Sequence, residues 1–184
     1  MLEIKIPATH RELFDEVNNK FITINTKETT LRLEHSLVSL KKWESKWRKP
    51  FLSNKHPKTN DEIIDYIKCM TLTQNVDENI YGILTSKNLT DIQQYIDNPM
   101  TATTFPVEQP KRNGEIVTAE IIYYWMISLN IPMECQKWHL NSLLTLIKVC
   151  STKNQPPKKM SKREIMNRNT ALNQARRQKL NSKG

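Results

Sequence analysis

The chain has 184 residues, 38% of them apolar and 26% charged, with three glycines, three cysteines and a net charge of +9. That length suits one domain with an appendage, and no apolar run reaches the roughly 18 residues a membrane span needs, so no membrane partner is expected. So few glycines argue against a phosphate-cradling loop, and a small, odd cysteine count argues against a disulfide framework and for a reducing compartment.

The opening MLEIKIPATHRELFDE carries early acids and no apolar core stretch, so no secretory leader is expected. Leu2, Ile4 and Ile6 alternate with charged residues, the pattern of a short strand with one buried face. Phe21–Ile24 and Thr29–Leu33 are two further β-prone runs, and Asn25 to Glu28 between them predicts a hairpin turn. The N-terminus therefore reads as a small antiparallel sheet, which needs a helix packed on one face to be stable.

Ser36 to Trp47 predicts a helix, with Ser36 as its cap and Leu37, Leu40, Trp43 and Trp47 on one face; Lys49-Pro50 ends it. After a polar loop at Ser53–Lys58, Thr59-x-x-Glu62 matches a capping box ahead of Ile63, Ile64, Ile67 and Met70. Weaker helical patterns cover Asp77 to Leu84 and Thr90 to Ile96, the second closed by Asn98-Pro99. Met100 to Gly114 contains Pro106 and Pro110 and reads as a long loop with a turn at Lys111–Gly114.

The most apolar stretch, Thr118 to Cys150, reads as two helices folded back into a hairpin. Thr118 is the expected N-cap with Glu120 in the first turn, and Asn130 with Pro132 stops the first helix. Cys135, Trp138, His139, Leu143, Leu146, Ile147 and Cys150 are assigned to the second.

Charge divides the chain. Residues Met1 to Cys150 balance 18 Lys and Arg against 18 Asp and Glu, whereas Ser151 to Gly184 carry ten Lys and Arg against Glu164 alone. The predicted organisation is a neutral globular domain over 1–150 and a basic linker and arm over 151–184. Ser151–Pro157 is the linker; Ser161-x-x-Glu164 is a second capping box and starts a helix with a thin apolar face of Ile165, Met166, Leu172 and Leu180. Such a helix is expected to form on a partner rather than alone. The fold class is α+β, predominantly helical: a small N-terminal antiparallel sheet, a helical core ending in a helical hairpin, and a basic helical arm.

Several residues invite a chemical reading. Cys135 and His139, four apart on one predicted helix, could form a nucleophilic pair or bind zinc with Cys150 or Cys69. No CxxC, HxxxH or orienting carboxylate accompanies them, and a buried thiol with a hydrogen-bonded core histidine explains the same spacing. Asp61, Glu62 and Asp65 are the densest acidic cluster, but at a helix start they answer the helix dipole. His10 and His56 carry no spacing signal. No catalytic residue, metal ligand or cofactor site is assigned, and the protein is not expected to be an enzyme. The partner-binding candidates are Trp43 and Trp47, which otherwise dock their helix on the core, and Lys158, Lys159, Lys162, Arg163, Arg168, Leu172, Arg176 and Arg177 of the arm.

The segments HSLVSLKKWESKWRKPFL (His35–Leu52), IDYIKCMTLTQNV (Ile64–Val76), NPMTATTF (Asn98–Phe105), YYWMISLNIPMECQKWHLNSLLTLIKVC (Tyr123–Cys150) and KKMSKREIMNRNTALNQARR (Lys158–Arg177) resemble a family of small proteins encoded in the tail-gene modules of tailed bacteriophages. They cover a little under half of the chain and contain no catalytic motif. The resemblance implies a tail-assembly chaperone acting in the host cytoplasm. Such a chaperone coats the tape-measure protein, recruits tail-tube subunits and leaves as the tube polymerises, and a homo-oligomer is among its expected forms. The alternatives are a structural tail or head–tail connector component of the virion, or a nucleic-acid-binding phage protein acting through the basic arm.

Overall fold

A computed structural model describes residues 1–15, 20–53, 57–105, 116–154 and 161–181, with only the backbone given for residues 11, 13–15 and 20–24. The predicted turn at Lys111–Gly114, His56, and residues 155–157 of the linker lie outside the described residues. The chain divides into two units, Met1–Cys150 and Ser151–Gly184.

The first unit is α+β and predominantly helical, with a small antiparallel sheet at its start. Four strands, β1 (Leu2–Ile6), β2 (Thr9–Asp15), β3 (Lys20–Thr26) and β4 (Thr29–Leu33), pair as β1 with β4 and β2 with β3. Both pairs keep one register, from Leu2↔Leu33 through Ile6↔Thr29 to Thr9↔Thr26 and Asp15↔Lys20. The four strands are thus one long hairpin, interrupted where Pro7 has no N–H to give the ladder and Lys27–Glu28 lie opposite. The turn predicted at Asn25–Glu28 is corrected: β3 and β4 run on in the same direction, and the reversal falls between Asp15 and Lys20. β2, whose THRELFD shows no clean alternation, was not predicted. Ile4, Ile6, Leu31 and Leu33 bury one face of the ribbon. Its outer edge at β4 is covered by the chain after the second helix, through Leu72 N–H to Arg32 O (2.8 Å) and Glu34 N–H to Met70 O (2.9 Å).

Helix α1 (Leu37–Trp47) begins with the Ser36 cap, whose hydroxyl accepts from the Ser39 N–H. Helix α2 (Asn60–Met70) carries the predicted Thr59/Glu62 capping box. The short α3 (Asn79–Gly82) and α4 (Ser86–Asp97) follow, the latter boxed by Thr85 and Asn88 and ended at Asn98. Helix α5 (Ala119–Ser128) stops where Asn130 turns left-handed at φ 53°, a conformation asparagine tolerates.

Beyond it the hairpin expectation fails. Met133–Lys137 form a short 3-10 helix, Trp138 is extended, and α6 (Leu140–Asn154) starts only after His139. Pro132 and the backbone bridge from His139 to Ser36 hold this segment across the start of α1, where the Leu140 N–H reaches His35 O at 2.7 Å. α5 and the 3-10 helix pack on α1, which becomes the central helix of the unit. Leu37, Leu40 and Trp43 of α1 are almost wholly enclosed, with Ile67, Met70, Ile122, Met126, Leu140 and Leu143 around them.

The second unit contains α7 (Lys162–Leu180), opened by the predicted box between Ser161 and Glu164; none of its residues is buried. Ser151 to Asn154, read as linker, are the last turn of α6.

Candidate functional site

The acidic cluster at the start of α2 resolves into structure. Glu62 is buried; one carboxylate oxygen accepts from Lys49 Nζ at 2.6 Å and the other from the Thr59 N–H at 2.9 Å. Asp65 accepts from the Trp47 indole N–H at 2.8 Å and from Lys46. Trp43 donates its indole N–H to the Glu62 carbonyl at 2.8 Å. Lysine and threonine donors hold Glu62 below the usual carboxylate range, as a satisfied structural anion rather than a proton shuttle.

The same contacts correct the reading of Trp43 as a partner-binding residue. It is 1% exposed, stacked on Trp47 and edge-on to Phe51, so it docks α1 on α2. Trp47 is half-buried, with the ammonium groups of Lys46 and Lys49 over its ring.

Cys135 and His139 do not form a pair on one helix. The His139 Nδ1 accepts from the Asn141 N–H at 3.3 Å, so Nε2 carries the proton and donates to Tyr95 O at 3.0 Å. Both ring nitrogens are engaged away from the thiol. His139 instead meets His35 edge to face, with ring centroids 5.1 Å apart. His35 is hydrogen-bonded through Nδ1 to the Tyr66 hydroxyl at 2.6 Å, and Tyr95 donates its hydroxyl to Glu34 at 2.6 Å. Burial, with His139 beside it, lowers the His35 pKa to about 4, so both rings are neutral near pH 7. Cys69 is half-buried and its thiol is pushed up, the reverse of what a nucleophile needs. Among the described residues no three His, Cys, Asp or Glu side chains are placed to hold a metal ion.

The cavity in the first unit that stands out is a cleft of about 940 Å³ between α2 and α4. Ile63 and Ile64 of α2 and Leu89 and Ile96 of α4 form its walls, and Leu84 also lines it. Phe51, Tyr66 and Ile92 lie beneath it. Ile63 is 42% exposed and Leu89 36%, so the apolar surface continues onto the rim. Among the described residues the charged and amide side chains on the lining are Lys58, Asn60, Asp61, Gln93 and Asp97. Nothing in the helical pattern marks this cleft: Ile63 falls on the same stripe as the buried Ile67 and Met70, and only the packing leaves it at the rim.

On α7, Lys162, Arg163, Arg168, Leu172, Arg176 and Arg177 are all exposed, as are its apolar Ile165 and Met166. Lys158 and Lys159 lie outside the described residues. Among the described residues no helix is long and apolar enough to cross a membrane. No protein-family model, curated protein or solved structure matches the chain.

Proposed function

We propose that the protein is a non-enzymatic assembly factor that holds an apolar segment of a partner protein against the cleft between α2 and α4. The observation that carries this reading is the cleft: several partly exposed aliphatic side chains share one concave surface, and such a patch costs solubility unless a partner covers it. The buried histidines, acids and thiols are committed to the fold or lack a catalytic arrangement, which supports a binding role. The resemblance to tail-module proteins of tailed bacteriophages supplies the partner: the tape-measure protein, a long helical protein that needs cover before the tube closes on it, with tail-tube subunits recruited to the complex. The protein then acts in the host cytoplasm, and a structural place in the virion tail or connector is the neighbouring alternative.

The test is co-expression with a tagged tape-measure protein from a tail-gene module that also encodes this chain. Wild type is expected to co-purify, and Ile63→Glu with Leu89→Glu, both at partly exposed positions, is expected to abolish it while the thermal melt is retained. Undiminished co-purification of that folded double variant would refute the role of the cleft.

A second reading rests on α7. It exposes six Lys and Arg along 19 residues with Glu164 as the single acid, a distribution suited to nucleic acid phosphates. Salt separates the two. Phosphate binding falls steeply between low and moderate salt, whereas capture of an apolar segment does not.

A further inference from the structure

We infer that the α2–α4 cleft selects a basic amphipathic helix, one whose aliphatic stripe is flanked by lysine or arginine. The inference rests on the docking reading above and adds the chemistry of the ligand. The walls run along two helices and carry aliphatic side chains at helical spacing, Ile63 and Ile67 on α2 and Leu89, Ile92 and Ile96 on α4. Ridges spaced in this way accept the i, i+4, i+7 stripe of a third helix, about 10 Å across with its side chains. Because Ile63, Leu89 and Leu52 stay 36–42% exposed at the rim, the cleft is a trough open along its length rather than an enclosed small-molecule pocket.

Charge at the rim decides what flanks the stripe. Four of the acids on α2 and α4 fall into two groups. Glu62 and Asp65 turn toward α1 and are each neutralised by a lysine, Lys49 and Lys46. Asp61 and Asp97 line the cleft, and among the described residues neither has a cation within ion-pair distance; Asp97 accepts only from the Gln93 amide, at 2.9 Å. Among the described residues the one cation on the lining, Lys58, is drawn onto the Phe51 ring with its ammonium 4.4 Å from the centroid. Among the described residues the rim therefore offers two carboxylates without a salt-bridge partner beside an apolar floor, Asp61 at the positive end of α2 and Asp97 on α4. Lysine or arginine on either side of a docked stripe gives both a partner, and glutamate there meets like charge.

The experiment uses the full chain and three fluorescein-labelled 18-residue helical peptides with an identical leucine stripe, flanked by lysine, glutamine or glutamate, with binding read by anisotropy. In low salt the lysine peptide is expected to bind about fivefold more tightly than the glutamine peptide, and the glutamate peptide more weakly than either, the scale of two rim charges. The preference is expected to shrink as salt rises past the screening range. In the Asp61→Asn, Asp97→Asn double variant the lysine and glutamine peptides are expected to bind with equal affinity. Equal binding of all three peptides to wild type would overturn the charge selection and leave the docking reading standing. A lysine preference undiminished in the double variant would overturn the assignment to Asp61 and Asp97. Binding of none of the three would overturn the docking of an amphipathic helix altogether.

Discussion

Glu44 is the side chain whose removal should tell most about how the first unit is held together. It lies on α1, is 8% exposed, and has a carboxylate oxygen on each of two buried backbone amides: Phe51 N–H at 2.8 Å and Ala119 N–H at 2.7 Å. Ala119 is the first residue of α5, whose own cap, Thr118, makes no side-chain hydrogen bond. An acid 75 positions earlier in the chain therefore caps α5 and ties the loop after α1 to it. Glu44→Ala leaves both amides buried without an acceptor, at about 1–3 kcal/mol each. Part of that loss is offset, because burial raises the Glu44 pKa: ionisation there carries a desolvation cost that alanine removes. The expected net loss is about 3 kcal/mol, or roughly 6–12 °C in Tm for a unit of this size. Glu44→Gln restores one acceptor and sets an amide donor against the other N–H, so it is expected to recover less than half. Urea unfolding followed by tryptophan fluorescence, with Trp43 as the buried reporter, measures both. A Glu44→Ala midpoint within about 0.5 kcal/mol of wild type, at unchanged m, would refute the capping argument.

Stability should also depend on pH through the buried histidine pair. The folded His35 stays neutral down to about pH 4 while the unfolded chain takes up a proton from about 6.5. Stability is therefore full above pH 6.5 and falls as pH drops toward 4, by on the order of 3 kcal/mol; His139, also lowered by burial, acts in the same sense, and Asp97 opposes it. His35→Gln should flatten the urea midpoint across that window, and an unflattened curve would mean the pair does not set it. Thr26 is 2% exposed, and its hydroxyl has no hydrogen-bond partner among the described residues. Thr26→Val keeps the shape and removes the stranded polar atom, so the midpoint should rise by about 1 kcal/mol; a fall would show that the hydroxyl is satisfied.

Local signals were legible and distant ones were not. The capping boxes at Thr59/Glu62 and Ser161/Glu164 close within four residues, and each sits where the chain order predicts. The Thr85/Asn88 box went unrecognised because asparagine at the third helical position is a weaker cue than glutamate. The β-prone runs were recognised as strands, but pairing is a contact between distant segments, and a turn-rich Asn25–Glu28 gave the wrong reversal. Cys135 and His139 looked like one helical face because nothing local reports the His139–Ser36 bridge that unwinds the chain there. The lysines that neutralise Glu62 and Asp65 come from the α1 region, so the sequence alone offers those acids only the helix dipole as a partner.

What the sequence determined by itself is whatever periodicity, capping and charge counting can fix over a few turns: helices where the boxes stand, an apolar α1 face built on Trp43, and a basic excess confined to residues after Cys150. Only the tertiary structure decided which acids are spent and which are open, that α1 rather than a C-terminal hairpin is the centre, and that Ile63 and Leu89 share a cleft. The physical reason is the same in each case. Backbone propensity acts between near neighbours, whereas desolvation and hydrogen-bond satisfaction are settled by whichever groups the fold brings together from far along the chain.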